Sequence, residues 1–123
     1  MPAPFVHLRV HSAYSLAEST LRLKSIVALA GGDSQPAVAI TDTNNMFGAL
    51  EFSEKGRESG VQPIIGLECI IADSRGRGEV VLLAQSEAGY EALCRHNSRA
   101  LLDVEGGDDP VIQLESLAQD NEG

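Results

Sequence analysis

Five side chains in this 123-residue chain have types and spacing that could do chemistry: His7, Arg9, His11, Asp42 and Glu68. The first three lie in Phe5–Val6–His7–Leu8–Arg9–Val10–His11–Ser12, whose beginning alternates polar and apolar residues with a period of two. That alternation marks a half-buried strand. It predicts His7, Arg9 and His11 on one face, with Val6, Leu8 and Val10 on the other. Two imidazoles and a guanidinium on one face suit the mouth of a site for metal, phosphate or carboxylate. They suit the polar outer face of a surface strand equally well, because two His at i, i+4 on a strand form a weak motif.

Asp42 follows the apolar run Ala37–Val38–Ala39–Ile40–Thr41 and opens the polar cluster Asp42–Thr43–Asn44–Asn45. The run reads as a strand buried on both faces. The cluster at its C-terminal end is where barrel-type α/β proteins hold their chemistry. Glu68 interrupts a third apolar run, residues 64–71. A carboxylate there is paired or functional, since burying it alone is costly. Side by side at strand ends, two imidazoles and two carboxylates could bind Zn²⁺, Mn²⁺ or Fe²⁺. Such a cluster activates water and polarises a phosphoryl group. Arg9 argues against it. Its guanidinium stays protonated, cannot ligate, and would instead pair with Asp42 or Glu68.

The elements that must position these residues follow from the rest of the pattern. Ser12–Ser15 reads as a loop. A helix is predicted from about Thr20 to Ala30, with Leu23, Ile26, Val27 and Ala30 on one face, Ser19 or Thr20 as N-cap and Gly31–Gly32 as the stop. A second helix is predicted over 49–59, weakened by Gly56 and closed by Gly60. After the third strand, the turn at 73–78 leads into a fourth strand at 80–84. The short turn allows a hairpin, so the sheet is expected to be mixed. Ser86 caps a helix over 87–102, and a short helix runs over 114–119. The order β-α-β-α-β-β-α is an α/β fold.

Composition narrows the class. The length suits one small domain. The chain carries 9 basic and 18 acidic side chains, a net charge of −9. Residues 1–102 hold all the Lys and Arg and 11 of the acids; residues 103–123 hold the other 7. The nearly neutral body lacks the basic patch that gripping nucleic acid requires, and the tail reads as an acidic, solvated connector. No apolar run is long enough for a membrane helix, and the N-terminus has no secretory pattern. Cys69 and Cys94 read as small core residues in a reducing, cytoplasmic setting. His96 is expected on a helix surface, in contact with water.

Several segments together resemble a known family. His7–Leu8–Arg9–Val10–His11–Ser12–Ala13–Tyr14–Ser15 is similar to the opening motif of the PHP (polymerase and histidinol phosphatase) domain, in the form that begins bacterial DNA polymerase III alpha subunits. Ala39–Ile40–Thr41–Asp42 with Asn45–Met46–Phe47–Gly48 resembles the second motif, and residues 60–68, ending at Glu68, the third. Leu82–Leu83–Ala84, Gly89–Tyr90 and Leu93 continue the match.

The resemblance implies the N-terminal portion of a distorted, roughly seven-stranded β/α barrel, with a metal cluster at the C-terminal ends of its strands. Active members hydrolyse phosphate esters, and some polymerases keep a metal-dependent 3′–5′ exonuclease there. In others the domain stabilises the polymerase and helps dock the proofreading exonuclease subunit.

The family's ligand His residues would fall at positions 9 and 43, which here are Arg9 and Thr43. His7, His11, Asp42 and Glu68 remain as vestigial metal candidates. The expected function is therefore structural and subunit-docking, within a DNA-directed DNA polymerase (a nucleotidyltransferase) of DNA replication. The alternative is a metal-dependent phosphoesterase or exonuclease with a residual site. No cofactor is expected in this region; any that bound would be Zn²⁺ or Mn²⁺, with Mg²⁺ in the polymerase domain of the parent protein. The expected partners are the rest of the alpha subunit, the exonuclease subunit and, through the parent protein, DNA. The resemblance also implies that residues 1–123 are part of a longer PHP domain, since relatives run on past Asn121–Glu122–Gly123, and that open strand edges favour self-association.

Overall fold

The computed structural model describes residues 5–15, 21–104 and 108–123. Its elements run α1 (Leu23–Gly32), β1 (Ala37–Ile40), α2 (Ala49–Ser59), β2 (Gln62–Asp73), β3 (Gly76–Leu83), α3 (Glu87–Asp103), β4 (Val111–Gln113) and α4 (Leu114–Gln119). The result is a mixed α/β fold. Among the described residues, β2 is the spine of a four-stranded sheet.

One edge of β2 takes β3 as an antiparallel hairpin, from Gly66↔Leu83 to Asp73↔Gly76. The other edge takes two strands end to end. β1 pairs parallel with its beginning, Ala37↔Gln62 to Ile40↔Ile65, and β4 pairs parallel with its end, Ile70↔Val111 to Ala72↔Gln113. The mixed sheet matches the hairpin expectation. β4 was not legible, because three residues are too few to show a period.

The helices form for the reasons the pattern gives. Leu23, Ile26, Val27 and Ala30 are all buried on the inner face of α1, packed with Val38, Ile40, Phe52 and Val61. This helix begins later than the pattern suggested and runs through both glycines to Gly32. The proposed caps Ser19 and Thr20 lie outside the described residues. Gly56 has a role beyond weakening α2: a Cβ there would sit 2.9 Å from the Val61 carbonyl oxygen and 3.1 Å from the Pro63 ring. A glycine lets α2 lie directly on the chain entering β2. Gly60 closes α2 in the left-handed region, φ 74°. Ser86 caps α3, its Oγ accepting from the Gly89 N–H at 3.2 Å.

A second apolar cluster forms where Leu67 and Cys69 of β2 meet Leu93 and Ala100 of α3 and Ile112 of β4. His96 corrects an expectation. It is 4 % exposed, and its Nε2 donates to the Asp120 carbonyl at 2.7 Å. Arg95 holds the Asp120 carboxylate with two bonds of 2.9 Å. The helical period placed His96 on the face that α3 turns toward the C-terminal segment. Nothing in the local sequence announced that this segment would cover it.

The opening stretch corrects a second expectation. Residues 5–11 run beside β1 without forming a regular ladder. The Ala39 N–H donates to the His7 carbonyl at 2.9 Å, and the Thr41 N–H to the Val10 carbonyl at 2.8 Å. Two steps along the chain from Ala39 to Thr41 are thus matched by three from His7 to Val10. One extra residue turns every later side chain to the other face.

Candidate functional site

That slip separates the residues that strict alternation would have grouped. His7 and Val10 turn toward α1 and help line a largely apolar cavity with Leu21, Ile26, Leu29 and Val38. The His7 ring is exposed and meets Phe5 edge-on, ring centroids 4.7 Å apart. It does not join the other candidates. Arg9 and His11 turn the opposite way, onto Glu68.

Glu68 is fixed by the sheet before any side chain reaches it. Its N–H donates to the Asp42 carbonyl at 3.1 Å, and its carbonyl accepts from Asn44 at 2.9 Å. Thr43 faces Glu68 in an isolated parallel bridge that continues the register of β1. The chain then turns at Asn44, φ 58°, a left-handed conformation that asparagine tolerates better than most residues.

The Glu68 side chain is 7 % exposed and draws three donors. Arg9 Nε donates to Oε1 in a close ion pair. His11 Nε2 donates to Oε2 at 2.6 Å, and Thr43 Oγ1 donates to the same oxygen at 3.3 Å. Burial pushes the Glu68 carboxyl upward, but the bonds from Arg9 and His11, with their charges, outweigh it and hold the group below its ordinary value near 4.5.

Asp42 is 2 % exposed and is satisfied separately. Oδ1 accepts from the Ser12 N–H at 2.6 Å and the Ser15 Oγ at 2.8 Å; Oδ2 accepts from the Ser12 Oγ at 2.7 Å. The Ser15 Oγ in turn accepts from the Thr43 N–H at 3.1 Å. Asn45 completes the seam, its Nδ2 donating to the carbonyls of Tyr14 and Thr43 at 3.0 and 3.2 Å. Ser12, Ser15 and Asn45 were not singled out by sequence reasoning. The available signal was that a buried Asp at a strand end must find donors, and a Ser-x-x-Ser loop supplies two hydroxyls.

These donors decide what the site can hold. A divalent cation needs carboxylate oxygens and imidazole nitrogens with lone pairs turned inward. Here the carboxylates of Glu68 and Asp42 are engaged by N–H and O–H donors, and His11 directs its Nε2–H to Glu68. Among the described residues, no three His, Cys, Asp or Glu side chains converge to hold a metal ion. As placed, these side chains turn their polar atoms to one another rather than to a common point. The arrangement is a charge network that ties the N-terminal segment and the loop after β1 to the central strand. A small open cavity beside it, about 320 Å³, is lined by Arg9, Thr43, Glu68, Glu79 and Asp109 among others.

Comparison with known proteins places the fold. The family model of the PHP domain matches residues 7–123. A DNA polymerase III subunit alpha of Pseudomonas fluorescens is 36% identical over 126 residues, covering 100% of this chain and 11% of that protein. The same subunit of Caulobacter vibrioides is 40% identical, covering 97% of this chain and 11% of the relative. An error-prone DNA polymerase of Symbiobacterium thermophilum is 36% identical, covering 97% of this chain and 11% of that polymerase. The chain thus spans about a tenth of the length of the curated relatives it matches.

Among solved structures, a protein of Bifidobacterium adolescentis described as a metal-dependent phosphoesterase superposes with TM-score 0.65 at 20% identity. It covers 80% of this chain and 34% of that one. An amidohydrolase of Chromobacterium violaceum superposes with TM-score 0.62, also at 20% identity, over 77% of this chain and 32% of its own. Among the described residues, no helix is long and apolar enough to cross a membrane.

Proposed function

The chain belongs to the PHP domain family, and from that premise we propose that it is the N-terminal PHP region of a replicative DNA polymerase III alpha subunit whose metal site is degenerate. In this reading residues 1–123 are one part of a longer distorted β/α barrel. The region serves the polymerase as a structural part and helps dock the proofreading exonuclease subunit. It works in the cytoplasm, and DNA is engaged by the rest of the subunit.

One observation carries the degenerate site. At positions 9 and 43, where the family pattern expects ligating His, this chain has Arg9 and Thr43, and both donate to the surviving carboxylate Glu68. A fixed cation and a hydroxyl thereby satisfy a buried charge that a metal would otherwise neutralise.

The test is the metal content of the purified subunit after incubation with Mn²⁺ and Zn²⁺ and desalting, with hydrolysis of a generic phosphodiester measured in parallel. Metal far below one equivalent in this region, with no hydrolysis attributable to it, is expected. Near-stoichiometric metal together with hydrolysis abolished by Glu68→Gln would overturn the reading in favour of a working phosphoesterase. Binding to the exonuclease subunit in a pull-down tests the docking role, and no binding would remove it.

A further inference from the structure

β3 leaves one edge of the sheet open. Its inner edge is paired with β2 throughout, from Gly66↔Leu83 to Asp73↔Gly76. Among the described residues, no strand pairs with its outer edge. The hydrogen bonds fix which backbone groups are left over. One step beyond the ladder, the Ala84 N–H donates to the Ile65 carbonyl at 2.9 Å. Successive residues of a strand turn their N–H and C=O to opposite edges. Gly76, Gly78, Val80 and Leu82 therefore turn theirs to β2, whereas Arg77, Glu79 and Val81 turn theirs outward.

Two features of this edge point to what it receives. Arg77 and Glu79 are exposed and share one face of the strand. Among the described residues, neither takes part in an ion pair. Between them stands Gly78, and nothing in this chain requires a glycine there. A Cβ at Gly78 would meet nothing within 4 Å, and its φ is not positive. A glycine inside a strand weakens it, and marks a place where another backbone comes close.

A two-fold axis through Gly78 satisfies both features. Antiparallel pairing about that residue sets Arg77 opposite Glu79 of the second copy, and Glu79 opposite its Arg77. Each pair exchanges both N–H···O bonds, because both residues turn their backbone groups outward. Each also sets opposite charges directly across from one another. Gly78 meets its own counterpart in the narrow pair, where two strands approach most closely. Charged side chains on an edge ordinarily discourage pairing; here the two charges are complementary under the axis. An axis at Glu79 would set that carboxylate against itself. An axis at Val80 would set Arg77 against Leu83 and Glu79 against Val81, leaving both charges unmatched.

We propose that the outer edge of β3 is an interaction surface for a second copy of this chain, joined antiparallel about Gly78 by reciprocal Arg77–Glu79 pairs. The contact is isologous and small, so it forms at micromolar concentration.

Sedimentation velocity on the full-length protein, from about 1 to about 50 µM, reads the association. The native protein should pass from monomer to dimer over this range. Arg77→Glu and Glu79→Arg should each weaken self-association at least about tenfold, because each sets like charges opposite one another at both pairs. An equimolar mixture of the two variants should dimerise again, since each supplies the charge the other lacks. The double variant with both substitutions should dimerise like the native protein. Both side chains are exposed, so all variants should keep the native thermal midpoint. A native protein that stays monomeric at about 50 µM, single variants that dimerise as well as the native protein, or a mixture that stays monomeric would overturn the proposal.

Discussion

Replacing Arg9 by Met tests the central ion pair most directly, because Met keeps the aliphatic stem and removes only the guanidinium. Glu68 would retain His11 and Thr43 but lose its one permanent cation. A buried charged group short of one partner costs about 1–3 kcal/mol. The Arg9 side chain is 62 % exposed, so water refills part of the vacancy and the lower half of that range applies, about 1–2 kcal/mol. For a domain of this size that corresponds to a fall in Tm of roughly 4–10 °C.

The pH dependence has a definite sign. Glu68 titrates below its ordinary value in the fold, so its contribution is present above about pH 4.5 and is lost as pH falls through the folded value. The gap between native and variant should be full at pH 7 and close in acid. Thermal unfolding followed by circular dichroism at a series of pH values measures it. Equal stability at pH 7, or a gap that persists undiminished in acid, refutes the reasoning. In a double-mutant cycle, Arg9→Met should cost far less in a Glu68→Gln background, since the charge it compensates is gone.

Three further outcomes follow from the same structure. Asp42→Ala should destabilise by about 2–3 kcal/mol, because it strands two serine hydroxyls and the Ser12 N–H in a buried seam; denaturant unfolding reads this, and a loss under half a kcal/mol would contradict it. Gly66→Ala should cost about 1–3 kcal/mol, since its Cβ would lie 2.6 Å from the Leu82 carbonyl oxygen and 2.9 Å from Thr41 Cγ2; an unchanged unfolding midpoint would show that β3 moves aside freely. Burial first, and then the Glu68 charge, push the Cys69 thiol up to about 11. Iodoacetamide at pH 8 should therefore modify the half-buried Cys94 well before Cys69, a ranking that peptide mapping would reverse if the reasoning fails.

The sequence made the helices and the central strands legible because their signals are local. Four apolar residues at helical spacing defined the buried face of α1, Gly60 marked the end of α2, and Ser86 marked the start of α3. The position of Glu68 in an apolar run already demanded a partner, and Arg9 was the cation expected to pair with it or with Asp42. What was not legible depends on register between distant segments. A regular strand at residues 5–12 would have put His7 beside Arg9 and His11; one extra residue against β1 sends it to the other side. Likewise, Asp42 called for donors, but only the folded register brings Ser12 and Ser15 to it in place of Arg9. His96 was hidden by a segment more than twenty residues downstream that the helix alone could not foretell.

The pairing along one edge of β2 keeps a constant offset of 25 positions, from Ala37↔Gln62 through Ile40↔Ile65 to the bridge Thr43↔Glu68. The segment 41–43 looks like a loop, yet it is measured like a strand. Exchanging its side chains for others of similar size would leave that measure intact, whereas inserting or deleting one residue there would move Thr43 off Glu68 and turn Asp42 away from both serines. This stretch should therefore tolerate changes of length no better than a strand does, the reverse of what its irregular backbone would suggest.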